Sequence, residues 1–341
     1  MDFEKILTIQ NTIAPEMMET ILRRYDIMKM IDNLQPVGRR VLASAMGMSE
    51  RTLRSETDKL RTLSLVESDT AGMHLTESAQ QVIVQVESLI YTMKGITDLE
   101  LKVRDKLQIQ KVSIVEGDYN QSDFIRRNLG KKAARIIEDH LTDNMRIGIM
   151  GGTTMALVAD EIKMDKKFSN VMIVPGRGGL GEKLEIQANS IAAKMAHRIG
   201  ATYKLLHIPD NIGSEVLEAL KQNEQIRNVL NEIKRIDMII FGIGTAEEMA
   251  QRRGLSELKK SELFLKKAFA ESLGYYFNKK GQPVTHTDTV GLALTDLKNI
   301  KHAICVAAGT NKAEAIYAFS KYHKEYTLVT DEVTAREILN L

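Results

Sequence analysis

The sequence predicts an α/β protein in which an N-terminal winged helix-turn-helix domain precedes a C-terminal doubly wound, Rossmann-like domain. Three observations support this fold class. The first hundred residues contain helical apolar spacing and a tight glycine turn, and the residues beyond Ile109 alternate short apolar strands with helices. With 341 residues, the chain is also too long for one small core, since roughly 150 residues per domain is typical. We divide it into residues 1–75, 76–108 and 109–341.

Composition and charge exclude several classes of protein. The net charge is only +2 with 27% charged residues, so any attraction for nucleic acid must come from a local patch. The chain contains no run of about 18 apolar residues that would span a membrane. The N-terminal residues also lack the apolar stretch of a secretory signal. We therefore expect a cytoplasmic protein that is not attached to a membrane.

The cysteine and the histidines give no support for a metal site. Cys305 is the single cysteine and lies in an apolar run, which predicts a buried structural thiol. The seven histidines are scattered, and none has ligand spacing with another His, Cys or carboxylate. We expect neither a metal nor a cofactor.

The first domain begins with an amphipathic helix and continues into a helix-turn-helix. Apolar residues recur at helical spacing between residues 15 and 31. A short helix within 35–45, a turn at Met46-Gly47-Met48 and a second helix over 50–60 then follow, with Ser49 as the N-cap of the second helix. Two short helices joined by a tight glycine turn are typical of a helix-turn-helix.

The second helix of this motif has the two faces that a DNA recognition helix needs. Leu53, Thr57 and Leu60 share one face and would pack on the other helices. The opposite face offers long donors for base edges and phosphates. Residues 36–66 hold six basic residues against three acidic ones, which makes the motif locally positive. The candidate DNA-binding residues are Arg39, Arg40, Ser49, Arg51, Thr52, Arg54 and Ser55.

A predicted wing follows the recognition helix. A strand from Leu63, a turn at 69–72 and a second strand ending at Thr76 form a hairpin. This order of elements predicts a winged helix that binds double-stranded DNA. The alternative is a three-helix protein-interaction module whose basic face is only solvated, and the wing makes that alternative less favourable.

An apolar stripe then predicts one long helix. Val82, Val86, Leu89 and Met93 step by three and four, and the stripe continues to Val103. Such a seam could join two copies, which would suit a module that binds paired half-sites. The same stripe could instead pack on the chain's own domain.

Beyond Ile109, seven apolar segments are predicted strands. Because they are apolar throughout and alternate with helices, they indicate a parallel sheet that is buried on both faces. The predicted strands begin at Val112, Arg146, Val171, Tyr203, Asp237, Ala303 and Tyr326, and the predicted helices cover residues 123–141, 153–162, 189–199, 214–236 and 311–322.

Glycine-rich loops follow four of these strands. In doubly wound sheets, ligands bind beyond the carboxyl ends of the strands, where glycines let N–H groups approach an anion. Each loop alone could be a tight turn, but together they predict a phosphate site faced by Arg177 and Lys312. The chain has no Walker pattern and no dinucleotide fingerprint in its proper place, so a nucleotide cofactor is disfavoured. The four loops are 151–154, 175–179, 242–245 and 309–312.

Several segments resemble one protein family. They are GIMGGTTM, VPGRGGLGE, IQANSIAAKMA, FGIGTAEEMAQRRG, GYYFN and VAAGTNKAEAI. Together with the predicted winged helix and the seam helix, they make essentially the entire chain similar to the SorC family of bacterial sugar-responsive transcription regulators. The resemblance implies a repressor of a glycolytic operon that is relieved by fructose 1,6-bisphosphate or a related phosphosugar. It also implies an effector domain similar to sugar-phosphate isomerase and deaminase folds.

The resemblance further implies a set of effector-binding residues. Residues 152–154 would form one phosphate cradle, and Lys312 would supply a cation from the last glycine loop. Whether Arg252 or its neighbour Arg253 contacts the ligand stays open. The expected partners are operator DNA, the phosphosugar and a second copy, with a tetramer on DNA. The full effector-binding set is Gly152, Thr153, Thr154, Arg177, Gly178, Gly179, Gln187, Arg252, Glu271 and Lys312.

The alternative function is a sugar-phosphate isomerase or deaminase with a fused regulatory module. Isomerisation requires a general base within hydrogen-bond reach of the sugar carbon. Glu271 and Asp237 are the candidates, but Glu271 could instead orient sugar hydroxyls and Asp237 could cap a strand. The predicted DNA-binding domain favours the regulator, for which no catalytic residue is expected.

Overall fold

The computed structural model describes residues 9–10, 12–164, 166–178, 183–208, 214–287 and 290–341. The chain divides into two compact units, Met1–Asp98 and Leu99–Leu341. The predicted three-part division stays a prediction, and the division between the units falls inside its middle part. Within the described ranges, no helix is both long enough and apolar enough to cross a membrane.

The first unit packs helices and a two-stranded sheet around an apolar core. Fully buried side chains include Ile27, Ile31 and Leu42, and burial of an aliphatic side chain of this size contributes about 1.5–3 kcal/mol. The order of elements confirms the predicted winged helix-turn-helix. The elements are α1 (Pro15–Leu34), α2 (Arg39–Ala45), α3 (Glu50–Thr62), β1 (Val66–Ser68), β2 (Met73–Leu75) and α4 (Glu77–Met93).

The recognition helix α3 has the predicted cap and the predicted buried face. The Ser49 hydroxyl accepts the backbone N–H of Thr52 at 3.1 Å, which satisfies a donor at the helix start. Leu53, Thr57 and Leu60 are each 0% exposed. The opposite face of α3 is therefore left for solvent or for a ligand.

The wing is tied to the segment before α2. Strands β1 and β2 pair antiparallel, and Val37 adds a bridge to Met73 through hydrogen bonds of 3.2 and 2.9 Å. Gly72 has φ +149°, and a Cβ there would lie 2.7 Å from the Val37 nitrogen. Only glycine fits this position without displacing the bridge.

The single long helix predicted beyond Ala79 is wrong, because the structure has two helices, α4 and α5 (Ile96–Leu107). Gly95 ends α4 with φ +70°, and its N–H bonds to the Thr92 carbonyl at 3.1 Å. A glycine in the left-handed conformation at this position is a common helix terminator.

The predicted apolar stripe is also divided between different packing environments. In α4, Ile83 and Ile90 are buried in the core of the first unit, whereas Val82 and Val86 are only partly buried. In α5, the predicted stripe residue Val103 is 0% exposed within one chain. The stripe residues of α5 therefore pack inside the chain, whereas those of α4 are only partly covered by it.

The second unit contains a seven-stranded sheet in which every pair is parallel, in the order β3-β13-β12-β7-β4-β5-β6. Helices flank it, which confirms the predicted doubly wound fold. The apolar residues of β4 and β7 are completely buried, as expected for central strands covered on both faces. The strands are β3 (Lys111–Val115), β4 (Arg146–Ile149), β5 (Met172–Pro175), β6 (Thr202–Tyr203), β7 (Met238–Phe241), β12 (His302–Val306) and β13 (Thr327–Asp331).

The helices of the second unit follow the strands in alternation. They are α6 (Asp123–His140), α7 (Thr153–Glu161), α8 (Ala188–Ile199), α9 (Ser214–Lys221), α10 (Glu224–Ile233), α11 (Ala246–Arg252), α12 (Glu257–Leu265), α13 (Ala313–Tyr322) and α14 (Glu332–Asn340), with short 3₁₀ turns at Leu184–Ile186, Leu294–Asn299 and Thr310–Lys312.

Three features of this unit differ from the prediction. The strand predicted from Tyr203 is only two residues long and lies at the edge of the sheet. The helix predicted over 214–236 is two helices, because the Asn223 side chain caps a second one by accepting the N–H of Gln225 at 2.9 Å. A second, antiparallel sheet was not predicted, and its strands are β8 (Gly244–Thr245), β9 (Ala270–Ser272), β10 (Tyr275–Phe277) and β11 (Pro283–His286).

The strand order creates a crevice between β4 and β7. From β4 the chain proceeds to β5 and β6 on one side, and from β7 it proceeds to β12 and β13 on the other. The loops after β4 and β7 therefore diverge, which is the topological switch point where doubly wound sheets bind ligands.

Candidate functional site

A cleft of about 610 Å³, open to solvent, lies at this switch point. Residues from the ends of β4, β5, β7 and β12 line it together with α11 and β9. Seven members of the predicted effector-binding set are among the lining residues: Gly152, Thr153, Thr154, Arg177, Arg252, Glu271 and Lys312. The structure thus brings these seven residues to one site, while their role in binding stays a prediction.

The start of α7 forms one end of the cleft. Gly152 precedes the helix with φ +129°, a conformation that favours glycine. Its N–H is already bonded to the Ile186 carbonyl at 2.8 Å. The amides of Thr153 and Thr154 stand in the first turn of the helix, where N–H groups have no intrahelical acceptor. These amides and the helix dipole make the end of α7 suitable for an anion.

The loop after β5 carries Arg177 into the cleft. Its side chain lines the cleft although the residue is only 3% exposed. Gly291 holds the backbone in place, since a Cβ there would lie 2.6 Å from the Arg177 Cα. The predicted Gly178 does not line the cleft, and its N–H is bonded to the Val290 carbonyl at 3.0 Å. Gly179 lies outside the described residues.

Lys312 enters the cleft from the loop after β12. Burial lowers the pKa of its ammonium group, and Arg252 lowers it further, while Glu248 acts in the opposite direction. Asp331 fixes this loop from behind, because its carboxylate accepts the Gly309 N–H at 3.1 Å. A half-buried ammonium beside another cation is unfavourable unless an anion compensates it.

Arg252 lies beside the start of α7. Its Nη1 would be 3.9 Å from a Cβ placed at Gly152, and its Nη2 donates to Glu248 Oε1 at 2.8 Å. The Arg252 side chain is 29% exposed. Glu248 is a cleft residue that the prediction missed, although its four-residue spacing from Arg252 on a helix could have indicated the pair.

Arg253 has a different environment from its neighbour. Its Nη2 donates to Glu271 Oε1 at 2.7 Å, and its Nη1 donates to the Thr287 hydroxyl at 2.6 Å. The side chains of Arg253 and Glu271 are only 3% and 5% exposed. Glu271 also accepts the Gly274 N–H at 2.7 Å. This polar network forms one wall of the cleft, and its arginine is already engaged by a carboxylate.

Two further predicted residues lie elsewhere. Gln187 is not among the residues that line the cleft, but it follows Ile186, whose carbonyl accepts the Gly152 N–H. Asp237 precedes β7 and therefore lies at the amino edge of the sheet, opposite the cleft. Its carboxylate accepts the Arg146 N–H at 2.8 Å, which is the strand-capping role.

The single cysteine and the possible metal ligands bear on other chemistry. Cys305 is 0% exposed in β12, and burial raises the pKa of its thiol, so it is a structural thiol as predicted. In the part of the chain that the structure describes, no group of three or more His, Cys, Asp or Glu side chains is arranged to hold a metal ion.

The candidate DNA-binding face lies on the first unit. Ser49 and Thr52 share a hydrogen bond of 2.8 Å in addition to the helix cap, so both hydroxyls have a structural role at the start of α3. Arg54 lies 3.8 Å from Asp58 on the same helix. Exposed positions among the predicted DNA contacts are Arg39, Arg40, Ser49, Arg51, Thr52, Arg54 and Ser55.

A buried carboxylate, which was not predicted, anchors the recognition helix. Glu56 of α3 lies 2.9 Å from Arg24 and 3.5 Å from Arg23 of α1, and its side chain is 6% exposed. Burial acts to raise the pKa of Glu56, but the hydrogen bond from Arg24 and the charges of Lys59, Arg24 and Arg23 outweigh it and lower the pKa. This ion pair joins α3 to the first helix of the unit.

Comparisons with known proteins agree with both halves of this organisation. A family model described as "CggR N-terminal DNA binding domain" matches residues 20–90. A second model, described as "Putative sugar-binding domain", matches residues 91–340.

Similar proteins cover the whole chain. The central glycolytic genes regulator of Priestia megaterium is 36% identical over 335 residues, and that of Bacillus subtilis is 35% identical over 337 residues. Each alignment covers 98% of this chain and 98% of the relative.

Solved structures support the same fold. A SorC family transcriptional regulator from Enterococcus faecalis matches with a TM-score of 0.67 and 35% identity over 71% of this chain and 99% of that chain. The full-length sorbitol operon regulator SorC from Klebsiella pneumoniae matches with a TM-score of 0.67 over 93% of this chain and 98% of that chain, and at 16% identity it supports the fold alone.

These relatives are named transcription regulators and not enzymes. The isomerase or deaminase alternative is therefore not supported, and the cleft belongs to a regulator. With a DNA-binding model at its N-terminus, a sugar-binding model over 91–340 and full-length relatives above 30% identity, the chain belongs to the SorC family of sugar-responsive transcription regulators.

Proposed function

We propose that this protein is a cytoplasmic repressor of a glycolytic operon that releases its operator when a phosphosugar binds in the cleft. The name of the relatives, central glycolytic genes regulator, supports the choice of operon. The observation that carries the proposal is that the cations Arg177, Arg252 and Lys312 arise from separate segments and line one cleft with the start of α7. An anionic ligand would relieve the repulsion among them.

We propose fructose 1,6-bisphosphate as the effector, because it carries two phosphates and the cations of the cleft come from separate segments. One phosphate would bind the Thr153 and Thr154 amides at the start of α7, with Arg252 beside it. The second phosphate would bind at the other cations, and Glu271 in the wall of the cleft would accept a hydrogen bond from a sugar hydroxyl.

Control of DNA binding follows from thermodynamic linkage. If bound effector lowers the affinity of the repressor for operator by some factor, bound operator must lower its affinity for effector by the same factor, and couplings of about 1–3 kcal/mol are typical. We propose that the repressor is a homodimer that pairs into a tetramer on operator DNA. The winged helices would stay folded while the association of the dimers changes.

A titration on selected DNA tests the proposal. Duplexes selected from a random pool by the full chain would be titrated with fructose 1,6-bisphosphate, with glucose 6-phosphate and inorganic phosphate in parallel. We expect release by the bisphosphate in wild type and a weaker response in Lys312→Ala. The exposed residue Lys298 supplies a matched control, since Lys298→Ala lies outside the cleft. Equal release of wild type and Lys312→Ala would refute the site.

A further inference from the structure

Two glutamates are among the described residues that line the cleft, and they are held in different ways. Glu271 accepts the Arg253 Nη2 and the Gly274 N–H at 2.7 Å each, and its side chain is 5% exposed. Glu248 accepts Arg252 Nη2 at 2.8 Å through Oε1, and its side chain is 35% exposed. Its other oxygen, Oε2, is buried and has no hydrogen-bond partner among the described residues. Glu271 is therefore fixed in the wall of the cleft, whereas Glu248 is held chiefly by Arg252.

The position of Glu248 on α11 offers it another role, which it does not take. The Thr245 hydroxyl caps this helix by accepting the Glu248 N–H at 3.2 Å. In a capping box, a glutamate at this position would accept the N–H of the cap residue in return. The Glu248 Oε1 accepts from Arg252 instead. The carboxylate is thus directed at a cation of the cleft.

The same carboxylate acts on two cations of the proposed phosphate site. Arg252 places Nη1 beside the start of α7, 3.9 Å from a Cβ built at Gly152, while its Nη2 donates to Glu248. Burial lowers the pKa of Lys312, and the negative charge of Glu248 opposes this shift. Glu248 therefore supplies, from within the chain, part of the negative charge that an anionic ligand would bring.

From this arrangement we propose that Glu248 is an internal competitor, whose carboxylate must leave Arg252 before the phosphate of an effector can bind there. A phosphate carries a larger charge than a carboxylate and three acceptor oxygens, so it displaces a partly exposed pair. The displaced carboxylate turns to solvent, where water satisfies Oε2. Glu248 thereby sets the effector concentration at which the cleft fills. This inference rests on the proposed phosphosugar site.

Removal of the charge at this one position tests the competition. Glu248→Gln keeps the size of the side chain but no longer pairs with Arg252 as an ion. We expect it to bind fructose 1,6-bisphosphate about fivefold more tightly than wild type, which is the gain expected when a partly exposed ion pair no longer has to be broken. The control is Glu247→Gln, because Glu247 is an exposed neighbour in the same helix turn and does not line the cleft. Calorimetric titration of the full chain measures the affinity, and the control should bind as wild type does.

A double-variant cycle separates competition for Arg252 from a general charge effect. In an Arg252→Met background the ion pair no longer exists, so the gain from Glu248→Gln should become smaller. Equal gains in both backgrounds would overturn the proposal. A loss of affinity for the bisphosphate in Glu248→Gln would also overturn it, since Glu248 would then be a ligand contact. Glu248→Ala should show the same gain as Glu248→Gln, which excludes an effect of the new amide.

Release of DNA gives the regulatory consequence, and it fails separately from the proposed function. Glu248→Gln should release a selected duplex at about fivefold lower bisphosphate concentration than wild type, with unchanged affinity for DNA when no effector is added. If wild type kept its DNA at every bisphosphate concentration, the proposed function would be wrong. The competition would still be judged with inorganic phosphate as the probe, which Glu248→Gln should bind more tightly than wild type and Glu247→Gln. Equal binding of inorganic phosphate and bisphosphate by all three proteins would overturn the role of Glu248.

Discussion

Arg253 and Glu271 form a buried ion pair in the wall of the cleft, with Nη2 2.7 Å from Oε1. The network continues to Thr287 and to the Gly274 amide, so both charges are held by several hydrogen bonds. Neighbouring Arg252 pairs with Glu248 at 2.8 Å but keeps 29% of its side chain exposed. The two adjacent arginines thus have different environments, because Arg253 is enclosed in a buried network and Arg252 is partly exposed.

The buried pair should matter for stability. Arg253→Met and Glu271→Leu should each lower the free energy of unfolding by about 3–5 kcal/mol, because each leaves a buried charge without its partner. The double variant should lose less than the sum of the two, since neither charge then remains. Urea denaturation of the full chain measures all three. If the double variant lost as much free energy of unfolding as the two single variants together, Arg253 and Glu271 would not be coupled.

The neighbouring arginine should affect binding and not folding. Arg252→Met should lower the affinity for fructose 1,6-bisphosphate by about 10- to 100-fold, as expected when a charge-assisted hydrogen bond to phosphate is lost. The same change should cost less than about 1 kcal/mol of stability, because a partly exposed ion pair contributes little. Calorimetric titration and urea denaturation of one preparation separate the two effects. If a stable Arg252→Met protein bound fructose 1,6-bisphosphate with the wild-type affinity, Arg252 would not be the residue that contacts the ligand.

Most of the fold could be predicted because its strands are apolar along their whole length. The strands that contain Ile147, Ile239 and Ile304 are central in the sheet, and both faces of such strands require apolar residues. The cleft followed from the same logic, since Thr153 and Lys312 come directly after two of the predicted strands.

The elements that were missed lack such a pattern. Strands β8 to β11 have two to four residues and contain Glu271 and other polar residues, so no alternation is long enough to recognise. The role of Arg253 depends on tertiary contacts with that sheet, and spacing along the chain cannot distinguish it from Arg252. Gly95 was overlooked because the apolar stripe continues on both sides of it.

Effector binding should weaken at high pH because of Lys312. Burial lowers the pKa of its ammonium group, so the charge that attracts phosphate is present below that lowered pKa and is lost as the pH rises through it. Lys312→Arg keeps its charge throughout this range and should remove the pH dependence. Titrations with fructose 1,6-bisphosphate between about pH 7 and pH 10, which is below the usual pKa of lysine, test whether the affinity falls as the pH rises. An identical pH profile for wild type and Lys312→Arg would exclude Lys312 as the cause.

The exposed face of α3 should carry DNA binding. Arg51→Ala should weaken binding to a selected duplex by an amount equivalent to about 1–3 kcal/mol, because an arginine that reaches bases or phosphates contributes at this level. Effector binding should stay unchanged. Arg61→Ala is a matched control on the same helix, since Arg61 bonds to Asp58 and Ser68 at 3.0 Å each. Fluorescence anisotropy at two salt concentrations measures the affinity, and an equal loss in both variants would indicate a non-specific charge effect.

Acid should destabilise the first unit through Glu56. The pKa of this carboxyl is lowered in the folded chain by Arg24, Lys59 and Arg23. A group with a lowered folded pKa stabilises the fold above its unfolded value and loses that contribution as the pH falls through the folded value. Wild type should therefore lose stability below about pH 4.5, near the ordinary glutamate value, and Glu56→Gln should lose less over the same range while being less stable at pH 7. Thermal melting of the full chain, followed by the ellipticity of its helices between about pH 3 and pH 8, measures this difference.

Asp58→Asn on the exposed face of the same helix is the control, since its partner Arg61 is also exposed and the pair contributes little. Because Glu56 joins α3 to α1, the same acid range should weaken the packing of the recognition helix on α1. If the stability of wild type and of Glu56→Gln changed in parallel with pH, Glu56 would not be the group responsible for the loss in acid.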